Sequence, residues 1–132
     1  MIVDSSALVS IALNEDGSGI LSMALSQSRS PRISAANLLE TWTVIDRRGG
    51  PQALPILEDT MSRVGLAIEP VTLAQVEIAR EAYARYGRGI GHPARLNFGD
   101  CFAYALAKQS GEPLLFVGND FIHTDLESAI AR

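Results

Sequence analysis

A helix and a strand follow one another in residues 97–120, which read NFGDCFAYALAKQSGEPLLFVGND. Asn97 to Ser110 predicts the clearest helix of the chain, and Gly111 ends it. Pro113–Val117 is the best strand candidate, because it is a short apolar run bounded by turn residues. This helix and strand form one unit of an alternation that continues along the chain.

The same alternation of short apolar strands and helices runs through the other residues. Ile2-Val3 predicts a strand that ends at Asp4, and the hydroxyls of Ser5-Ser6 begin a helix directly after it. We expect further extended segments at 31–34 and 67–71, a loop at 87–96, and helices at 20–27, 35–48, 53–64 and 72–86. This order predicts an α/β fold with a parallel sheet.

Composition narrows the class of protein. The chain has 132 residues, of which 47% are hydrophobic and 20% charged, so we expect a single globular domain over residues 1–132. One cysteine excludes a disulfide scaffold, and one cysteine with two histidines leaves too few ligands for a Cys/His zinc site. The net charge of −4 gives no global basic field, so any binding of nucleic acid would have to be local.

The chain carries no sign of a membrane or export signal. Residues 1–4 lack the basic and apolar regions of a signal peptide. No apolar run approaches the ~18 residues that a membrane span requires. We therefore expect a cytoplasmic protein that does not contact a membrane.

Four of the fifteen acidic residues occupy unusual places. Asp4 follows the first strand, and Asp120 lies three residues after the strand candidate that ends at Val117. Ligands of parallel α/β sheets bind outside the carboxyl ends of the strands, so both acids lie at the expected edge. Glu40 and Asp100 come from helices and point away from the apolar stripes predicted there, which are Leu38, Trp42 and Ile45 in one helix and Phe98, Cys101, Phe102 and Ala105 in the other.

Each acid also has an ordinary structural interpretation. Asn97 and Asp100 form a capping-box pattern, and Asp4 suits the N-cap of the following helix. Asn119-Asp120 is typical of a turn, and Glu40 could be a solvated helix residue. Taken together, however, the four acids predict a cluster whose mutual repulsion requires a cation or raised pKa values. Oxygen ligands alone suit Mg²⁺ or Mn²⁺.

Five stretches of the chain carry a resemblance to a known family. They are residues 2–8 (IVDSSAL), 38–40 (LLE), 96–107 (LNFGDCFAYALA), 114–121 (LLFVGNDF) and 124–126 (TDL). In this order and spacing, the chain resembles the PIN-domain ribonucleases, and among them the VapC toxins of bacterial toxin–antitoxin pairs.

The resemblance implies a PIN-like fold with a short parallel sheet of four to five strands, flanked by helices, and an acidic pocket at the carboxyl edge. It implies Mg²⁺-dependent or Mn²⁺-dependent cleavage of single-stranded RNA by a homodimer, which a cognate antitoxin of the VapB type inhibits. The acids in the family's positions are Asp4, Glu40, Asp100 and Asp120, as catalytic residues and metal ligands. The groups that would orient these acids are Ser6, Asn97, Asn119 and Thr124.

Three further residues have a weaker connection with RNA. Arg88 and Arg95 flank a glycine-rich loop before Asp100 and could contact the RNA backbone, although solvated arginines explain them equally well. His123 follows Asp120 and is more simply a solvated loop residue.

Two other functions remain open from the sequence. A catalytically silent PIN-fold binding module would share the fold, although all four acids are intact. A phosphotransfer or phosphatase domain would need a lysine after a late strand, whereas the only lysine, Lys108, lies inside a predicted helix.

Overall fold

A parallel sheet of four strands lies at the centre of the computed structural model, which describes all 132 residues. The strand order is β3-β2-β1-β4, and every neighbouring pair is parallel. The strands are β1 (Ile2–Val3), β2 (Arg32–Ser34), β3 (Ala67–Glu69) and β4 (Leu114–Leu115). The predicted α/β fold with a short parallel sheet is therefore confirmed.

Six helices cover the two faces of the sheet. They are α1 (Ser5–Ala12), α2 (Ser18–Gln27), α3 (Ala35–Arg48), α4 (Ala53–Val64), α5 (Leu73–Tyr86) and α6 (Phe98–Ser110). The predicted boundaries of α3 and α4 match these bounds, and α2 begins two residues earlier than predicted, directly after Gly17 with its φ of 85°. The last strand is shorter than the predicted 113–117, because the chain turns towards solvent at Val117.

The order of the strands places a switch point beside β1. The chain runs outward from β1 through β2 to β3 and then returns to add β4 on the other side of β1. The carboxyl ends of β1 and β4 therefore diverge into connections that lead in opposite directions. Such a crevice is where ligands bind in open parallel sheets.

Two apolar clusters form the core, one on each face of the sheet. Ile2 and Leu114 point towards α5 and α6, where they pack with Tyr86 and Tyr104. Val3 and Leu115 point to the opposite face, against α1 to α4. Complete burial of one such side chain contributes about 1.5–3 kcal/mol. Because successive side chains of a strand point to opposite faces, burial on both faces fixes the orientation of β1 and β4 although each has only two residues.

Two predicted apolar stripes are wrong at one position each. Trp42 is 42% exposed, because α3 turns Asn37 and Thr41 inward beside Leu38 and Ile45. Phe98 is 77% exposed, because it begins α6, whereas the buried part of this helix runs from Asp100 to Ala107. In both helices the predicted aromatic position is exposed, whereas polar residues of the same helix are buried: Asn37 and Thr41 in α3, and Asp100 in α6.

None of these helices is long and apolar enough to cross a membrane.

Candidate active site

Asp4 is both a helix cap and a buried acid with a free oxygen. It follows β1 directly, and its Oδ2 accepts hydrogen bonds from the backbone nitrogen of Ser6 at 3.0 Å and from Ser6 Oγ at 2.6 Å. Its side chain is buried, and Oδ1 has no hydrogen-bond partner. The capping interpretation therefore explains one oxygen of this carboxylate and leaves the other available.

Ser6 connects Asp4 with the far side of the switch point. Its hydroxyl donates to Asp4 and accepts a hydrogen bond from the backbone nitrogen of Val117 at 3.0 Å. The backbone nitrogen of Asp4 also donates to Leu115 O at 2.9 Å. The ends of β1 and β4 are thus held together around the carboxylate of Asp4.

Asp100 lies in the first turn of α6, inside a complete capping box. The backbone nitrogen of Asn97 donates to Asp100 Oδ2 at 2.9 Å, and the backbone nitrogen of Asp100 donates to Asn97 Oδ1 at 2.8 Å. Asp100 is nevertheless only 8% exposed, which is unusual for an acid whose role is to cap a helix. The capping box therefore fixes a carboxylate that is buried, whereas an acid that only caps a helix is usually exposed.

Glu40 is half-buried and is held by one residue of α1 and one residue of its own helix. Its Oε1 accepts hydrogen bonds from Ser5 Oγ and from Asn37 Nδ2 at 3.2 Å. The same amide nitrogen of Asn37 donates to Gly99 O at 3.0 Å. In space, Glu40 thus lies between the first residue of α1 and the first turn of α6, next to the residues that adjoin Asp4 and Asp100.

The electrostatics of these carboxyls are coupled. Burial raises the pKa of Asp4 from 3.8 to about 6, with a further contribution from the charge of Glu40 and an opposing one from the hydrogen bonds of Ser6. Burial also raises the pKa of Asp100 to about 7, and the charges of Asp4, Asp120 and Glu40 add to it. Like charges close together in a poorly solvated place produce this effect, and a bound cation relieves it.

Asp120 approaches the other acids without being hydrogen-bonded to them. It lies at the start of a 3₁₀ turn (Phe121–His123), it is half-buried, and its charge acts on Asp100. Asn119 beside it is exposed, as is His123. The hydroxyl of Thr124 donates to Phe121 O at 2.7 Å and stabilises the turn, so it does not donate to an acid.

The donors at this edge of the sheet have the chemistry that a hard divalent cation requires. They are the oxygens of carboxylates, and two of these carboxylates, Asp4 and Asp100, are buried and have raised pKa values. One oxygen, Asp4 Oδ1, is buried without a hydrogen-bond partner. As the side chains stand, no three His, Cys, Asp or Glu residues form a group that could hold a metal ion. Hydrogen bonds from the chain engage one oxygen each of Asp4, Glu40 and Asp100.

The sequence as a whole matches the family model of the PIN domain over residues 1–127. The chain belongs to the PIN domain family. Its relatives include Ribonuclease VapC42 of Mycobacterium tuberculosis, which is 46% identical over 129 residues, or 98% of each chain. Ribonuclease VapC28 of the same organism is 46% identical over 132 residues, which cover 100% of this chain and 99% of that protein. The resemblance to VapC-type PIN-domain ribonucleases is therefore confirmed.

A solved PIN-domain structure agrees with the fold. The crystal structure of VapC20 from Mycobacterium tuberculosis, described as a sarcin-ricin loop cleaving toxin, superposes with a TM-score of 0.72. It shares 25% sequence identity, and the match covers 95% of both chains. The PIN-like architecture predicted from the five stretches is confirmed by this likeness.

The two arginines predicted to contact RNA lie on the exposed loop before α6 of this PIN domain. Arg88 donates from Nε to the backbone oxygen of Arg95 at 3.3 Å, and both side chains are exposed. Arg95 has a φ of 53°, in the left-handed region that non-glycine residues seldom adopt. The loop thus holds two cations near the start of the helix that carries Asp100.

Three residues of the site were not predicted from the sequence. Ser5 and Asn37 donate to Glu40, and Gly99 accepts from Asn37. Two signals were available in the sequence. Ser5 follows Asp4 directly, and Asn37 precedes Glu40 by three residues, which makes Asn37 and Glu40 neighbours on the surface of one helix. Nothing in the sequence indicates that Gly99 lies against Glu40.

Proposed function

We propose that this PIN domain is a Mg²⁺-dependent or Mn²⁺-dependent endoribonuclease that cleaves single-stranded regions of RNA in the cytoplasm. We propose further that it acts as the toxin of a toxin–antitoxin pair. The names of its relatives support the nuclease activity, since VapC42 and VapC28 are both described as ribonucleases and match this chain over almost their full length. VapC20, which has a similar fold, is described as a sarcin-ricin loop cleaving toxin.

One observation of the structure carries this proposal. Two buried carboxyls, Asp4 and Asp100, lie at the switch point of the sheet, and their pKa values are raised towards neutrality by burial and, to a smaller extent, by the charges of neighbouring acids. Ionisation of such acids destabilises the folded chain unless a ligand compensates their charge, and strongly perturbed pKa values are typical of functional sites. A cation is the ligand that removes the repulsion.

The residues that would hold the metal are Asp4, Glu40, Asp100 and Asp120. When bound, the ion would lower the pKa of a water molecule and neutralise charge on the phosphoryl oxygens. The chain's own contribution is orientation: Ser6 fixes the carboxylate of Asp4, and Asn97 fixes that of Asp100. We retain Asn119 and Thr124 as weaker candidates, since neither donates to an acid in this structure.

Charge explains why substrate and cation would act together. The net charge of −4 and the acidic pocket repel the RNA backbone until the charge of the acids is compensated. Arg88 and Arg95 are our candidates for contacts with phosphates, because they are exposed on the loop that leads into α6 and so precede Asp100 in the chain.

We also propose two protein partners, a second copy of the chain and an antitoxin of the VapB type. The support is the apolar surface that the fold leaves uncovered on α2 and α3. Ile20 and Met23 on α2 are 64% and 63% exposed, and Leu39 and Trp42 on α3 are 61% and 42% exposed. Exposed apolar groups in this number are typical of surfaces that bind another protein.

Cleavage of a labelled RNA pool by the purified protein tests the proposed activity. We expect endonucleolytic products with Mg²⁺ or Mn²⁺ and none after EDTA removes the metal. A protein that is folded by circular dichroism, binds Mn²⁺ and leaves the RNA intact would instead be a catalytically silent binding module. Cleavage that persists in EDTA would contradict the metal-dependent activity.

A further inference from the structure

Glu40 is held in place by three segments of the chain that lie far apart in sequence. Ser5 reaches it from the first turn of α1, and Asn37 reaches it from its own helix. Gly99, in the first turn of α6, lies against its other oxygen. The position of this carboxylate is therefore fixed relative to both helices that begin with the buried acids.

Asn37 is the centre of this arrangement. Its side chain is fully buried, and its amide nitrogen donates to both Glu40 Oε1 and Gly99 O. Its Oδ1 is buried without a partner. A buried amide with an unsatisfied oxygen is destabilising compared with an apolar residue of the same size, so packing alone does not account for an asparagine here.

Gly99 is required for a steric reason rather than a conformational one. A Cβ atom built on Gly99 would lie 2.1 Å from Glu40 Oε2 and 2.8 Å from its Cδ, far closer than atoms approach one another. Its backbone does not adopt the left-handed conformation that favours glycine. The three nearest atoms all belong to the end of the Glu40 side chain, so a larger residue would displace this carboxylate before it disturbed the backbone.

We propose that Asn37 and Gly99 are positioning residues for Glu40: the amide pulls its carboxylate towards the start of α6, and the missing side chain makes room for it there. The inference rests on the proposed function, in which Glu40 acts in RNA cleavage. It assigns to a buried asparagine and a helical glycine a role in the geometry of the acidic site rather than in the fold.

A double-mutant cycle separates this role from a purely structural one. The four proteins are the parent, Asn37→Ala, Glu40→Gln and the double variant, assayed for kcat and KM on one RNA oligonucleotide under saturating metal. If Asn37 acts through Glu40, we expect Asn37→Ala to lower kcat about 10- to 100-fold in the parent, as removal of a group that orients a ligand does. In the Glu40→Gln background the same change should lower kcat by less than about threefold. An equal loss of kcat in both backgrounds would overturn the proposal.

Thr41→Val is the matched control for a buried polar group on the same helix face. Thr41 is fully buried, and its hydroxyl donates only to the backbone oxygen of Asn37 at 2.8 Å. We expect this variant to lose stability while kcat stays within about twofold of the parent. A drop in kcat as large as that of Asn37→Ala would mean that any disturbance of α3 impairs activity, which would overturn the specific role of Asn37.

Gly99→Ala provides a second test of the proposal, which remains valid if Asn37→Ala fails to fold. Alanine has a higher helix propensity than glycine, and the clash is confined to the Glu40 side chain, so we expect a folded protein. We expect its kcat to fall by a factor close to that of Glu40→Gln. Parent-like kcat in folded Gly99→Ala would contradict the steric part of the proposal.

Binding of Mn²⁺ makes failure of the inference distinguishable from failure of the proposed function. The affinity of each of the four proteins is measured from the electron paramagnetic resonance signal of free Mn²⁺, without RNA. A parent that binds Mn²⁺ but does not cut RNA would refute the nuclease, and the cycle is then carried out on Mn²⁺ affinity. A parent that cuts RNA while Asn37→Ala matches it in kcat and in Mn²⁺ affinity would refute the inference alone. A parent that shows neither property would refute both.

Discussion

Two regions deliver acids to the same edge of the sheet in different ways. Asp4 and Asp100 lie at the starts of helices and are buried, and one oxygen of each accepts hydrogen bonds from that helix start: from Ser6 to Asp4 and from the backbone nitrogen of Asn97 to Asp100. Asp120 follows a strand of two residues, lies half-buried in the segment 118–124, and makes no side-chain hydrogen bond to the acids. One region is preorganised by secondary structure, whereas the other is placed only by the course of a loop.

This difference indicates how the site divides its tasks. An acid that is fixed and buried carries a large electrostatic penalty when it is ionised, so removal of its charge has a large effect on any cation in the site. An acid on a half-buried loop is better solvated and can adjust. We therefore expect the strongest dependence of activity on the helix-start acids and a weaker one on the loop.

The largest effect is expected for Asp4→Asn. Asparagine is nearly isosteric and still caps α1, so the fold should survive, but the negative charge beside the unpaired Oδ1 position is lost. Loss of several kcal/mol of transition-state stabilisation corresponds to a rate reduction of roughly a thousandfold or more. The measurement is cleavage of labelled RNA with Mg²⁺, with circular dichroism as the control for folding. Near-parent cleavage by the folded variant would remove Asp4 from the catalytic site.

A smaller loss is expected for Asp120→Asn. Since Asp120 acts on Asp100 through its charge and is not fixed by hydrogen bonds, we expect kcat to fall by roughly 10- to 100-fold. Removal of this charge should also lower the pKa of Asp100, which can be followed by NMR titration of the carboxyl carbon without metal. If Asp120→Asn impairs cleavage as much as Asp4→Asn, the proposed difference between the two regions does not exist.

The raised pKa of Asp100 predicts how the stability of the fold depends on pH in the absence of metal. The pKa of Asp100 is 3.8 when unperturbed and about 7 in the folded protein, so the folded state binds this proton more tightly. Its contribution to stability is therefore fully present below pH ~4 and is lost as the pH rises through about 7. Because Asn cannot ionise, Asp100→Asn should melt higher than the parent at pH 8 in EDTA, by roughly 5 °C or more. The difference should shrink towards pH 5, and a difference that is constant with pH would refute the raised pKa.

The smallest effect is expected for Thr124→Val. The hydroxyl of Thr124 donates to Phe121 O and accepts from the backbone nitrogen of Leu126, so its loss should cost about 1 kcal/mol of stability. We expect cleavage within about twofold of the parent, measured at a temperature where both proteins are fully folded. A large loss of activity would show that this residue orients an acid after all, contrary to its contacts in the structure.

Much of the fold was predictable because its signals are local. The caps of α1 and α6 are interactions between residues two or three positions apart, and the boundaries of α3 and α4 follow from helical periodicity and from flanking glycine residues. Hydrophobicity failed at Trp42 because it does not indicate which side of α3 faces inward when Asn37 and Thr41 occupy the inward positions. It failed at Phe98 because this residue begins α6, before the buried part of that helix.

The family, the four candidate acids and the two helix starts that carry Asp4 and Asp100 can be read from the sequence, since all of these depend on neighbouring residues or on short motifs. The surroundings of Glu40, in contrast, depend on how the helices pack. Its contact with Ser5 joins residues 35 positions apart, and the bond from Asn37 to Gly99 joins residues 62 positions apart. Such contacts arise from the way in which α1, α3 and α6 lie against one sheet, and the energies that fix this arrangement come from core side chains elsewhere in the chain. A buried amide with an unpaired oxygen and a glycine that makes room for a carboxylate are therefore evident only once the helices are in place.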